Sequence, residues 1–223
     1  MTYLLSYPAL FLGRVIALVV ALSFHEFAHA FAAYRLGDTT AQRAGRLTLN
    51  PLAHLDPFGS LMMLLVGFGW AKPVPVNPYN LRGNKLRGMA ITAAAGPLSN
   101  ILQAFVFALP FRFGLLDFEW GAIYWGTLNA GQVLPSLALV LSLLVWVNLL
   151  LAVFNMIPLG PLDGMKVLLG VLPQGLAFRL EPLAQYGSWL LIALMVLGGG
   201  SLLTWMIYPP ALNMLNQLIS RLW

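Results

Sequence analysis

The sequence predicts an all-α polytopic membrane protein, and three observations predict it. Of 223 residues, 60% are hydrophobic and only 9% charged, with a mean hydropathy of +0.81. A soluble domain carries about a quarter charged residues, so this chain has too little polar surface to cover a water-exposed globule. Several apolar runs reach the ~20 residues a spanning helix needs. They lack the period-2 alternation of barrel strands, and lipid admits only helices or closed barrels. An ordinary cytosolic enzyme, a nucleic-acid binder and a disordered chain are thereby excluded. The 12 Lys and Arg outnumber the 7 Asp and Glu for a net charge of +5, yet no dense basic run accompanies the excess. It is the excess expected where one side of a bilayer collects the Lys and Arg. Cysteine is absent, which removes disulfides, thiolate catalysis and Cys-based metal sites.

The elements follow in order. Residues 8–34 form the first span and contain the pentapeptide at 25–29. Residues 58–70 make a short apolar run with Gly59, Gly67 and Gly69. Residues 88–111 and 131–157 are spans, and 186–208 is an additional membrane helix interrupted by Gly198, Gly199 and Gly200. Those glycines permit either close helix packing or a bend that gates the site. Residues 209–223 carry Leu212, Leu215, Leu218, Ile219 and Leu222 at helical spacing, opposite Asn213, Asn216, Gln217 and Ser220. Such a tail is expected to lie in the interface.

Charge sets the topology. Residues 71–87 carry Lys72, Arg82, Lys85 and Arg87 with no acid, and 35–57 carry Arg35, Arg43 and Arg46 against Asp38 and Asp56. Both segments should face the cytoplasm, so the short run between them must re-enter or half-cross. About four full spans remain, in one domain over 1–223 with its core at 8–165. Loop 112–130 falls outside and 158–185 inside.

Between the basic residues lies Lys72-Pro73-Val74-Pro75-Val76. If extended, it has one edge stripped of donors by the prolines, while Val74 and Val76 keep theirs on the other. Paired with residues 46–50, it would form a small β element able to accept an unwound substrate strand. The alternative is a rigid polyproline-like connector.

His25-Glu26-Phe27-Ala28-His29 is an H-E-x-x-H motif. Positions i and i+4 share a helix face, so both imidazoles can meet one Zn²⁺ while Glu26 reaches a water beside it. Ionisable groups inside an apolar span are costly and usually functional. A catalytic zinc takes three protein ligands, and Asp163 stands out among the remaining acids. It follows Asn155-Met156-Ile157-Pro158-Leu159-Gly160-Pro161-Leu162 and precedes Gly164, a stretch whose prolines and glycines break the helix. Spacing alone leaves two readings, a surface Asp-Gly turn or a ligand. His25 should lie about 18 Å above the inward end of its helix, so the two can meet only if the broken stretch stays inside the bilayer.

With both stretches in view, the chain resembles the site-2 protease family of intramembrane zinc metalloproteases, in its small prokaryotic type without a PDZ or CBS module. The family's signatures are HExxH and N-x-x-P-x-x-P-L-D-G, matched here by His25–His29 and by Asn155, Pro158, Pro161, Leu162, Asp163 and Gly164. Residues 50–57 (Asn-Pro-Leu-Ala-His-Leu-Asp-Pro) and 96–100 (Gly-Pro-Leu-Ser-Asn) are also similar to small members. The resemblance implies one zinc held by His25, His29 and Asp163, with Glu26 as general base. It also implies transmembrane proteins as substrates and the prokaryotic cytoplasmic membrane as location, with the active site toward the cytoplasm.

Three side chains keep two readings each. Asn100 and Asn155 are intramembrane amides that either join helices or donate to the oxyanion of the reaction. His54 is either a loop histidine or an occasional zinc ligand that closes the site. A membrane zinc carrier or sensor using the same His and Asp without hydrolysis is the competing function. Oligomeric state is not legible.

Overall fold

The computed structural model describes residues 7–56, 58–59, 71–122, 133–184, 186–197 and 201–220. Three of its helices are long and apolar enough to cross a membrane: α1 (Pro8–Arg35), α2 (Lys85–Arg112) and α3 (Leu137–Asn155). They pack mutually. Four more helices follow α3 among the described residues: α4 (Asp163–Val171), α5 (Gln174–Ala184), α6 (Gly187–Leu197) and α7 (Ser201–Ile219).

The packing is written in residue size. On α1 the buried face is Ala9, Gly13, Ala17, Ala21, His25, His29 and Ala33, a ladder at i+4 spacing that forms one row along a helix. Small residues let backbones approach closely where lipid offers no hydrophobic drive for association. A Cβ on Gly13 would lie 2.7 Å from Leu143 Cδ1 of α3. The same row thus seats α1 against its neighbours and carries both histidines inward. Outward-facing residues are large and apolar. Ile16, Phe24 and Phe31 on α1, and Ile91, Leu98, Leu102 and Phe105 on α2, are exposed, as a lipid-facing band requires.

Capping fixes where α2 and α3 begin. Asn84 accepts from Arg87 N–H and Ser136 from Leu139 N–H, each satisfying a donor the first turn leaves open. After α3 the chain breaks, with Leu159 N–H bonded to Ile157 O and Leu162 N–H to Leu159 O. It resumes at α4 with Asp163 in the first turn, where a carboxylate complements the helix dipole.

The predicted β element is corrected: among the described residues there is no strand at 46–50 or 72–76, only one antiparallel bridge between Leu55 and Ala71. Side chains have taken the groups a ladder would use. The Arg46 guanidinium donates to the carbonyls of Ala53 and Lys72, and Val74 N–H donates to Glu26. Residues 71–82 instead form a strap, irregular to Asn77 and then a 3₁₀ turn at Pro78–Asn80, tied to the end of α1. Asn77 N–H and the Asn80 amide donate to Asp38, and Arg82 N–H donates to Leu36 O. Burial pushes the Asp38 carboxyl up, but hydrogen bonds from Thr40, Asn80 and Asn77 outweigh it and hold the group below the ordinary carboxylate range.

Among the described residues three spans meet the length and apolarity of a crossing helix, and the fourth expected span contains residues outside them. The segment expected at 186–208 is divided between α6 and α7, and the Gly198–Gly200 gate lies outside the described residues, as do residues 60–70 of the expected re-entrant run. Nor does a separate tail begin at Pro209. α7 runs through Pro209 and Pro210 and buries Ala211 and Leu215 against Ala104, Ala108 and Phe111 of α2 and Val145, Trp146 and Leu149 of α3.

Candidate metal centre

His25 and His29 leave α1 one turn apart and meet Asp163 from the start of α4. The Asp163 Oδ2 atom lies 3.3 Å from His25 Nε2 and 3.1 Å from His29 Nε2, and the two Nε2 atoms are 3.0 Å apart. All three residues are buried. The Pro-Leu-Asp-Gly stretch is therefore no surface turn; it folds back to the level of the histidines. Gly164 makes that return tight, because a Cβ there would press on the carbonyls of Met156 and Ile157.

The outer ring nitrogens define what the inner ones can do. His29 Nδ1 is 2.7 Å from Thr92 O, an obligate acceptor, so Nδ1 carries the proton and Nε2 presents a lone pair. His25 Nδ1 is 2.6 Å from Asn100 Oδ1, which imposes the same tautomer. With both rings neutral, two imidazole lone pairs and a carboxylate oxygen face one another, an arrangement relieved by a shared metal ion or by a proton on one Nε2. Donors placed tetrahedrally about 2.0–2.1 Å from a zinc ion stand about 3.3–3.4 Å apart, close to the spacings found. The donor set, two nitrogens and one oxygen, fits zinc with one position left open.

α2 comes close enough to support this because of Gly96. A Cβ there would fall 2.5 Å from His29 Cε1 and 2.6 Å from His25 Cε1, so only glycine admits both rings. Lys166, one turn beyond Asp163, places Nζ 3.4 Å from Oδ1, the oxygen turned away from the histidines.

The three residues border a cavity of about 530 Å³ that Glu26, Val74, Val76, Asn155 and Lys166 also line. Its walls are otherwise largely apolar, with Leu22, Leu151, Phe154 and Leu191 among them. Glu26 Oε2 accepts Val74 N–H at 3.1 Å, which brings the carboxylate to the strap. Asn155 spends one amide hydrogen on Leu151 O at 3.0 Å and has a second.

Asn100 is placed differently from the oxyanion reading. It is fully buried, and its amide hydrogens go to Ala21 O and Asn148 Oδ1, so it has none to offer a substrate and supports His25 instead. His54 lies apart from the His/Asp group, with Nε2 bonded to Thr48 O at 2.7 Å; the extra-ligand reading has no support in this geometry. Sequence reasoning missed Thr92, Gly96, Asn148 and Lys166. Asn148 carried a signal, as an amide within an apolar run.

Three relatives bear the name "Putative zinc metalloprotease". YwhC of Bacillus subtilis is 38% identical over 199 residues, covering 89% of this chain and 85% of that protein. MJ0611 of Methanocaldococcus jannaschii is 30% identical over 171 residues, 74% of this chain and 76% of that protein. Rip2 of Mycolicibacterium smegmatis is 29% identical over 202 residues, 86% and 70%. No protein-family model matches the chain, and no solved structure matches it significantly. With the paired motifs converging on one donor set and relatives of this identity along most of its length, the chain belongs to the site-2 protease family of zinc metalloproteases.

Proposed function

We propose that the protein is a zinc-dependent endopeptidase that cuts transmembrane segments of other membrane proteins, in the cytoplasmic membrane of a prokaryote. The observation that carries this reading is the meeting of His25, His29 and Asp163 on one cavity with Glu26, among helices long and apolar enough to cross a bilayer. His25, His29 and Asp163 hold the ion. When bound, zinc supplies Lewis-acid chemistry, polarising the scissile carbonyl and lowering the pKa of water toward about 7.

The chain's own residues do the rest. Glu26 takes a proton from the attacking water as the C–O bond forms and the carbonyl opens to an oxyanion, then delivers it to the amine nitrogen as the carbonyl re-forms and the C–N bond breaks. It can do so while Oε2 accepts the Val74 N–H, because a carboxylate keeps further lone pairs for the proton. The spare Asn155 amide hydrogen stabilises negative charge on the former carbonyl oxygen. Leu151, Phe154 and Leu191 receive apolar substrate side chains and limit water. A helical substrate hides its carbonyls in i→i−4 bonds, so it unwinds first, and the Val74 carbonyl and the backbone groups of Val76 offer it replacement partners along the strap, the Val74 N–H being held by Glu26.

The strap also supports the orientation. It borders the cavity through Val74 and Val76, bears the exposed Lys72 and leads to the exposed Arg82, Lys85 and Arg87, and in this reading that basic side faces the cytoplasm.

The test is incubation of purified, zinc-loaded protein with a panel of single-pass membrane proteins, beside Glu26→Gln. Cleavage by the wild type and its loss in a Glu26→Gln protein that retains zinc are expected. Zinc movement across vesicles that survives Glu26→Gln, without cleavage by either protein, would favour a carrier.

A further inference from the structure

Behind His25 runs a chain of amides whose direction two backbone carbonyls decide. Asn148, in the middle of α3, is fully buried and donates from Nδ2 to Leu144 O at 2.8 Å. A carbonyl can only accept, so the atom beside it is the nitrogen, and the Asn148 oxygen must face the other way. It faces Asn100 Nδ2, 2.7 Å distant. That nitrogen is fixed independently by Ala21 O at 3.2 Å. Both amide hydrogens of Asn100 are thereby spent, and its oxygen is left toward His25 Nδ1 at 2.6 Å.

Polarity then runs one way through the network. Leu144 O orients Asn148, Asn148 with Ala21 O orients Asn100, and Asn100 puts the His25 proton on Nδ1 and the lone pair on Nε2. A reversed Asn100 would present N–H to Nδ1 and force the proton onto Nε2, where it blocks ligation. His29 needs no such device, since Thr92 O acts on it directly. One ligand is set by backbone and the other by a two-amide relay that crosses three helices.

We infer that Asn148 is a positioning residue of the metal centre, selecting the ligating tautomer of His25 through Asn100. This inference rests on the zinc reading of the site, so zinc affinity is measured separately from cleavage. Partners of metal-bound histidines typically contribute about 10–100-fold in affinity. Asn148→Leu should fall at the lower end, about tenfold, because Ala21 O still holds one Asn100 hydrogen.

The experiment is a chelator competition for zinc on the detergent-purified full chain, with four proteins: wild type, Asn148→Leu, Asn100→Asp, and both together. A carboxylate has two equivalent oxygens and no N–H to turn toward the ring. Asn148→Leu should therefore weaken zinc binding about tenfold in the wild-type background and not weaken it in the Asn100→Asp background, where a carboxylate oxygen would face the Asn148 oxygen. A merely structural role predicts the same loss in both backgrounds and would overturn the inference. Equal zinc affinity of wild type and Asn148→Leu would also overturn it. A wild-type chain that binds no zinc would overturn the zinc reading, and the inference with it.

A second measurement does not depend on any variant folding. The chain has three histidines, so ¹⁵N-histidine labelling resolves each ring. In metal-free wild type, His25 should carry its proton on Nδ1, and a His25 proton on Nε2 would refute the relay.

Discussion

Gly96→Ala tests the site through one methyl group. The new Cβ would meet His29 Cε1 at 2.5 Å and His25 Cε1 at 2.6 Å, whereas ordinary van der Waals contact begins at 3.4 Å. The shortfall is about 0.8–0.9 Å against two rings at once. Neither ring can swing away freely, because Thr92 O and Asn100 hold their Nδ1 atoms and both residues are buried. Either α2 retreats from α1 or the Nε2 atoms leave their positions. Overpacking of this kind costs about 1–3 kcal/mol, and a displacement near 1 Å in a reactive site costs about 10²-fold in rate. Zinc affinity by chelator competition and turnover on a cleaved substrate should both fall, turnover by about two orders of magnitude. Gly175→Ala is the matched control, since a Cβ there meets nothing within 4 Å. Wild-type zinc affinity and turnover in Gly96→Ala would refute the close seating of α2 on the two imidazoles.

Two further outcomes follow from packing and charge. Asp38→Asn should loosen the strap and lower the thermal midpoint at neutral pH. The folded-state pKa of Asp38 is depressed, so its stabilisation is complete above the unfolded value of about 3.9 and fades as pH falls through the folded value. The difference between wild type and Asp38→Asn in thermal unfolding should therefore shrink in acid; a constant difference from pH 7 to pH 3 would count against the hydrogen-bonded carboxylate. Gly170→Ala should destabilise the chain by about 1–3 kcal/mol, because a Cβ there would overlap Ala90 and stand 2.7 Å from Leu86 O. An unchanged thermal midpoint would contradict the contact of α4 with α2.

The metal centre was legible where identity and spacing together dictate geometry. His25 and His29 share a helix face by the i,i+4 rule, whatever surrounds them. Asp163 stood out because two prolines and a glycine broke an apolar run just before it and another glycine followed, though spacing could not say whether that break faced water or protein. Thr92 was illegible for a simple reason: it acts through its backbone carbonyl, which every residue possesses. Asn148 carried a signal as an amide within an apolar run and was passed over, and its partner depends on the register between α2 and α3, which no local pattern encodes. Gly96 lay within a stretch already singled out, yet its use becomes apparent only once two rings are found where its side chain would be.

The strap and the last helix show local rules losing to tertiary ones. Alternation at Val74 and Val76 suggested a strand, but Glu26 and Arg46 supplied side-chain partners for the backbone instead. The amphipathic spacing after Pro209 suggested an interfacial tail, yet Ala211 and Leu215 pack on α2 and α3, and the helix continues through Pro209 and Pro210 although each removes a helix donor.

Zinc K-edge X-ray absorption on the purified protein tests the central claim most directly. One zinc per chain is expected, with two imidazole nitrogens and a carboxylate oxygen at about 2.0–2.2 Å, and with the oxygen signal altered in Asp163→Ala. Active protein lacking zinc, or a zinc shell that Asp163→Ala leaves untouched, would contradict it.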